Sequence, residues 1–154
     1  MTKMTIYLAT DHAGFELKEK IKKFLIEGGY QVEDLGNFKY DEKDDYPDWI
    51  HPLAKKISEC AGDLSRACRG IVFGGSGQGE AMVANRYKGV RAAVLYKFDK
   101  DIVKLSREHN DANVLSLGAR FLKEKDALKA VKLWLETPFS GEERHKRRIE
   151  KIDK

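Results

Sequence analysis

Cysteine is scarce in this sequence. There are only two among 154 residues, Cys60 and Cys68, with no metal-like spacing. That excludes a disulfide-dense scaffold and a thiolate metal centre. Both thiols are expected to be reduced and unbonded, as in a cytoplasmic protein. Long apolar runs are missing too: none approaches the ~18 residues of a membrane span, so no membrane partner is expected. No signal-peptide arrangement precedes the first strand pattern, which fits the cytoplasmic expectation. Neither sign of charge dominates. The 29 Lys and Arg stand against 25 Asp and Glu, a net charge of +4. Because the bases are interspersed with acids, no nucleic-acid partner is implied. No repeat, low-complexity stretch or linker divides the chain, so residues 1–154 read as one domain able to bury a core.

Strand and helix patterns alternate five times. Strands are expected over residues 5–10, 30–35, 70–73, 90–96 and 113–117. Helices are expected over 13–28, from Pro47 to about Cys60, and over 78–87, 99–109 and 123–136. Leu17, Ile21, Phe24 and Leu25 share one stripe of the first helix, and Gly28-Gly29 stops it. Ala127, Ala130, Val131 and Leu135 are read as the inward face of the last. A basic segment, residues 142–154, closes the chain. Such alternation predicts an α/β fold, a parallel sheet covered on both faces. Ligands in such folds bind beyond the carboxyl ends of the strands.

The most informative stretch lies at such an end. A short apolar strand empties into Gly74-Gly75-Ser76-Gly77-Gln78-Gly79-Glu80, and a helical pattern follows at once. Glycines let a backbone approach a ligand closely and aim N–H groups at one spot, and a helix N-terminus adds partial positive charge. An anion cradle with a carboxylate at its lip suits chemistry in which negative charge develops on a substrate oxygen. The loop lacks the Lys-Ser/Thr ending of a P-loop and the G-x-G-x-x-G spacing of dinucleotide sites. Two further strand ends carry suggestive residues, Asp11-His12 and Gly118-Ala119-Arg120.

Each residue also has a plainer reading. Ser76 and Asp11 fit helix N-caps, and Asn110 fits a C-cap. Glu80 fits an acid favouring a helix dipole. His109 follows Ile102 and Leu105 at helical spacing, which puts it on an inward face among core residues. Arg144-His145-Lys146-Arg147-Arg148 reads as a solvated basic run, although Arg144 and Arg148 share one helical face and guanidiniums suit phosphate.

Taken together, these stretches resemble the ribose-5-phosphate isomerase B family, which includes the galactose-6-phosphate isomerase subunits. The resemblance rests on Asp11-His12-Ala13-Gly14, Asp45-Tyr46-Pro47, the run from Gly74 to Glu80 with Ala84-Asn85, Arg107-Glu108-His109-Asn110, Gly118-Ala119-Arg120, and the segment from Arg144 to Arg148. It implies a Rossmann-like α/β/α sandwich with a five-stranded parallel sheet. It also implies a homodimer whose sites take residues from both subunits, with a C-terminal helix reaching the partner; dimer against tetramer is left open. One branch of the family carries a cysteine where this chain has Gly74. The other carries a glutamate after the loop, where this chain has Glu80, so the chain resembles the glutamate branch.

The implied chemistry is aldose–ketose isomerisation of a sugar phosphate without cofactor or metal. Glu80 would be the base, His109 the ring-opening acid/base, and Asp11 an acceptor of a hydroxyl proton. Gly75, Ser76, Gly77, Gln78, Gly79 and Asn110 would line the substrate, with Ser76 orienting its reacting end. His12, Arg120, Arg144 and Arg148 would hold the phosphate. The favoured substrate pair is ribose 5-phosphate and ribulose 5-phosphate. The rivals are a hexose 6-phosphate (galactose or allose) and a non-catalytic nucleotide-binding module.

Overall fold

In the computed structural model, which describes residues 3–154, five parallel strands form one sheet in the order β2-β1-β3-β5-β4. The strands are β1 (Thr5–Thr10), β2 (Gln31–Asp34), β3 (Cys68–Gly74), β4 (Ala92–Leu95) and β5 (Val114–Gly118). The helices are α1 (Phe15–Glu27), α2 (Tyr46–Ala61), α3 (Gln78–Ala84), α4 (Lys100–Glu108), α5 (Glu124–Glu136) and α6 (Glu143–Glu150). A 3-10 turn, His12–Gly14, joins β1 to α1. The expected three-layer α/β/α architecture is therefore present. None of the described helices is long and apolar enough to cross a membrane.

The alternation of side chains along each central strand sends successive residues to opposite faces. Ile6, Leu8, Ile71, Phe73, Leu115 and Leu117 face α1, α4 and α5. Tyr7, Ala9, Val72 and Val114 face α2 and α3. α1 and α2 each meet the sheet through one apolar stripe: Leu17, Ile21 and Leu25 on α1, and Ile50, Leu53, Ala54 and Ile57 on α2. On α5 the deepest position after Val131 belongs to Trp134, which is fully buried, and Leu135 is only partly buried. α3 is shorter than expected. It ends where the Asn85 amide turns to bond both backbone groups of Ala92, at 2.8 and 3.1 Å.

Two cysteine expectations are corrected. Cys60 ends α2, Cys68 opens β3, and the two are disulfide-bonded with Cα atoms 6.2 Å apart. A tight turn accounts for their meeting: Asp63 N–H donates to Cys60 O, Arg66 N–H to Asp63 O, and the Asp63 carboxylate takes Ser65 N–H and Oγ. The habits of a compartment predict nothing about this local geometry.

Candidate active site

Three chain segments meet at the carboxyl edge of the sheet, where β1, β3 and β5 end. Asp11 leaves β1 and caps the 3-10 turn, its Oδ1 accepting from Ala13 N (2.9 Å) and Gly14 N (3.3 Å). The cap reading of Asp11 thus holds, and its second oxygen stays free of that duty. Gly14 is obligatory here, since a Cβ would overlap Phe73 and Thr10 where β1 and β3 end side by side.

The loop after β3 is stitched to β5. Ala119 N donates to Gly74 O (2.8 Å) and Arg120 N to Gly75 O (3.0 Å). Ser116 Oγ donates to Gly77 O, and Gly118 lies directly beneath the Ser76 carbonyl, with no room for a Cβ. Gly77 is the N-cap of α3, at φ +78°, a conformation that favours glycine. Ser76 is therefore not the cap itself, though its Oγ accepts from Gln78 N at 3.3 Å. The N–H groups of Ser76, Gly77 and Gly79 find no acceptor among the described residues, so they are free for a ligand. The Arg120 guanidinium lies over Gly75; a Cβ there would stand 3.1 Å from its Nη1.

Glu80 follows in the first turn of α3 and is 4% exposed. Its carboxylate lies against the Cα of Gly74, in the space that a side chain at residue 74 would fill. A cysteine at 74 and this placement of Glu80 exclude one another. Burial pushes the Glu80 carboxyl above its ordinary range; its own backbone N–H opposes this and the charge of Asp11 adds to it. Among the described residues no cation lies within ion-pair distance, so it is a buried carboxylate poised to take a proton. Burial likewise raises Asp11.

Two further residues, Tyr46 and Asp44, reach the site from outside the strand ends. The Tyr46 ring presses on Gly79, where a Cβ would come 2.7 Å from its Cζ. Asp44 binds the His12 ring at 2.7 Å. Tyr46 was visible only as part of a matching motif. Asp44 lies in a polar connection whose composition gives no hint of its position. Asp11, His12 and Asp44 bring ligand-type atoms within 4.8 Å of one another, the one such cluster among the described residues. Protein hydrogens already engage it: the Asp44 oxygens accept from His12, Asn37 and Trp49, and Asp11 Oδ1 is a cap.

The other expected residues lie elsewhere. α4 runs back from the carboxyl edge, so His109, its C-cap, and Asn110 sit at the amino edge. β5 alone puts about 13 Å between those edges. Ile102 and Leu105 are 54% and 39% exposed, which corrects the inward face assigned to them and to His109. Asn110 is exposed beyond the cap, its carbonyl accepting from Arg91 Nε at 2.9 Å. α6 is held at the same edge: His145 stacks on His109 with ring centroids 4.1 Å apart, and Asp153 accepts from Gly89 N at 2.9 Å. Arg144 and Arg148 are exposed on α6, Arg144 paired with Glu142 at 2.8 Å. One chain therefore brings together Asp11, His12, Gly75 to Gly79, Glu80 and Arg120. It does not bring His109, Asn110, Arg144 and Arg148 to them.

Comparison with known proteins agrees along the whole chain. The family model described as Ribose/Galactose Isomerase matches residues 6–152. A ribose-5-phosphate isomerase B from Mycobacterium leprae is 39% identical over 97% of this chain and 88% of its own length. The crystal structure of ribose-5-phosphate isomerase B from Mycoplasma genitalium, with bound ribulose-5-phosphate, superposes with a TM-score of 0.89 at 38% identity, covering 99% of this chain and 95% of that one. A ribose 5-phosphate isomerase from Thermotoga maritima gives 0.87 at 43% identity, with 97% of both chains covered. With a family model matched over residues 6–152 and relatives about two-fifths identical over nearly all of the chain, this chain belongs to the ribose/galactose isomerase family.

Proposed function

We propose that this protein interconverts D-ribose 5-phosphate and D-ribulose 5-phosphate, a step of the non-oxidative pentose phosphate pathway. The observation that carries the reading is the buried Glu80 carboxylate over Gly74, unpaired with any cation among the described residues, beside free loop N–H groups, with Arg120 over the neighbouring Gly75. A base must be unpaired and its carboxyl pKa raised to abstract a carbon-bound proton near neutrality. Glu80 removes the C2 proton of the open aldose and delivers it to C1. The electron pair passes through a cis-enediolate, whose oxygen charge the loop N–H groups stabilise while the O2 hydroxyl proton passes to O1. Adjacent carbons let one carboxylate serve both. Arg120 and His12 bind the phosphate, and that remote binding fixes C1 and C2 against Glu80. Asp11 accepts a hydroxyl proton as the furanose opens.

The residues at the amino edge complete the site from a second subunit. In this reading a homodimer pairs the amino edge of one chain with the carboxyl edge of the other. His109 then acts in ring opening, Asn110 on the substrate, and Arg144 and Arg148 on the phosphate. The exposed stripe of Ile102 and Leu105 beside His109 supports such pairing. No step needs a cofactor or a metal.

The test is turnover of ribose 5-phosphate with EDTA present, for wild type and Glu80→Gln. The expected result is efficient wild-type isomerisation and a loss of about a thousandfold or more in kcat for the variant. Near-normal turnover by Glu80→Gln would remove the base assignment. A wild type that turns over galactose or allose 6-phosphate in preference to ribose 5-phosphate would overturn the substrate.

A further inference from the structure

We propose that Asp44 is a positioning residue for phosphate binding: it grips the His12 imidazole through Nδ1 and so presents Nε2–H to the substrate phosphate. The inference rests on the proposed role of His12 at that phosphate, and it concerns a residue outside the glycine loop and the arginine set.

The geometry is that of a carboxylate fully committed to one task. Asp44 Oδ1 accepts from His12 Nδ1 at 2.7 Å and from His12 backbone N at 3.1 Å. Its Oδ2 accepts from Asn37 Nδ2 at 3.0 Å and Trp49 Nε1 at 3.1 Å. Its side chain is only 6% exposed. Asn37 is itself anchored, its carbonyl accepting from the fully buried Lys18 Nζ at 2.7 Å and its N–H donating to Thr10 O. The carboxylate is thus fixed by the core and cannot follow a moving imidazole. Two bonds to a single residue, one from the backbone and one from the ring, set both the place and the rotation of His12.

The chemistry follows from what a carboxylate can do. Ionised, it only accepts, so the proton between the two groups belongs to Nδ1 of His12. A phosphate also only accepts, so His12 binds it only when Nε2 carries a proton as well. Asp44 favours that doubly protonated form. The groups facing His12 are Asp44 and Asp11, the guanidinium of Arg120, and the edge of the Tyr40 ring 6.1 Å away. The hydrogen bond to Asp44 is the largest influence and raises the imidazole above its ordinary range. Burial opposes it, Asp11 adds to it, and Arg120 opposes it. Burial pushes Asp44 up, but its bonds from His12 and Asn37 outweigh this and hold it below the usual carboxylate range. The carboxylate therefore favours the charged donor in a place where burial and, more weakly, Arg120 oppose it.

The test uses Asp44→Asn, with Trp49→Phe as control, in the intact protein. Two quantities are read across pH 5 to 9: the affinity for inorganic phosphate, by calorimetry, and KM and kcat for ribose 5-phosphate. In wild type, phosphate affinity should fall as pH rises through the raised His12 value. In Asp44→Asn the fall should move at least about one pH unit lower. KM near neutrality should rise about tenfold with kcat little changed, as expected for one lost charge-assisted contact to the remote phosphate. Trp49→Phe removes a donor from the same carboxylate and should leave the pH profile in place.

An unmoved profile in a folded Asp44→Asn protein overturns the proposal, as does equal displacement by Trp49→Phe. If Asp44→Asn fails to fold, the His12 ring is titrated by NMR in wild type, its signal identified by its loss in His12→Gln. A value at or below that of an ordinary histidine overturns the proposal, and a raised one supports it. The phosphate measurement needs no turnover. A wild type that binds phosphate with this profile but isomerises nothing refutes the proposed function and leaves the Asp44 assignment standing.

Discussion

The relation between Gly74 and Glu80 shows how one residue permits another. The carboxylate occupies the volume that any side chain at 74 would need, so only a glycine there lets Glu80 stand where it does. The same burial that raises the Glu80 carboxyl above its ordinary range costs stability. Its folded pKa is raised by burial above the ordinary 4.5. For a carboxyl raised in this way, the folded state binds the proton more tightly than the unfolded state does. Its stabilising contribution is complete below the unfolded value and is lost as pH rises through the folded one. Glu80→Gln, which carries no charge at any pH, escapes that loss. Urea denaturation should therefore show the variant unfolding at a higher midpoint than wild type at pH 7, with the gap closing below about pH 4.5. A gap of the opposite sign at pH 7 would mean that the carboxylate is stabilised rather than strained by its surroundings. At this scale much of the site was legible. Asp11, Ser76, Glu80 and Arg120 stand beside glycines or at strand ends, where the local pattern speaks. Local pattern did not mark Asp44, and marked Tyr46 only through a motif, because contact across the chain brings both to the site, and no local spacing encodes that.

At the scale of elements, the strands and the inward faces of α1 and, Leu135 apart, of α5 follow from period and punctuation. The buried stripes agree with the expected ones because a core-facing helix repeats its apolar residues at i, i+3 and i+4. The same reasoning fails for α4 in an instructive way. Its period correctly shows Ile102, Leu105 and His109 on one side, yet that side is open in the single chain. Amphipathicity says that something covers a face, and does not say whether the cover belongs to the same molecule. The link between α2 and β3 is the other element-level surprise. The Cys60–Cys68 bridge closes a short loop, and loop-closure entropy gives it a worth of about 2–3 kcal/mol. Reduction, or Cys60→Ser with Cys68→Ser, should lower the urea midpoint accordingly. Protein denatured without reductant should show no thiol reactive to Ellman's reagent. Two reactive thiols, with a midpoint indifferent to reductant, would restore the expectation of free cysteines.

For the whole molecule, the sheet topology decides where chemistry can happen. Parallel strands put every β–α loop at one edge and every α–β loop at the other. Asp11, Glu80 and Arg120 come from the first kind, and His109 and Asn110 from the second. Residues that the proposed mechanism brings together are thus held at opposite edges of the sheet in one chain. The sequence listed the participants in order and was silent on this separation, because only the fold assigns each loop to an edge. If the mechanism uses both groups, the site belongs to two chains, and mixing inactive variants should create activity. Glu80→Gln and His109→Asn homodimers, assayed with ribose 5-phosphate, should each be nearly inactive. After subunit exchange at equal concentrations, half of the dimers are mixed. Each mixed dimer has one site bearing both substitutions and one bearing neither. The mixture should then recover about a quarter of the wild-type activity. If Glu80 and His109 served the same site from one chain, every site in every dimer would carry a defect and the mixture would stay inactive. The recovered fraction thus measures directly whether the two edges work within a subunit or between subunits.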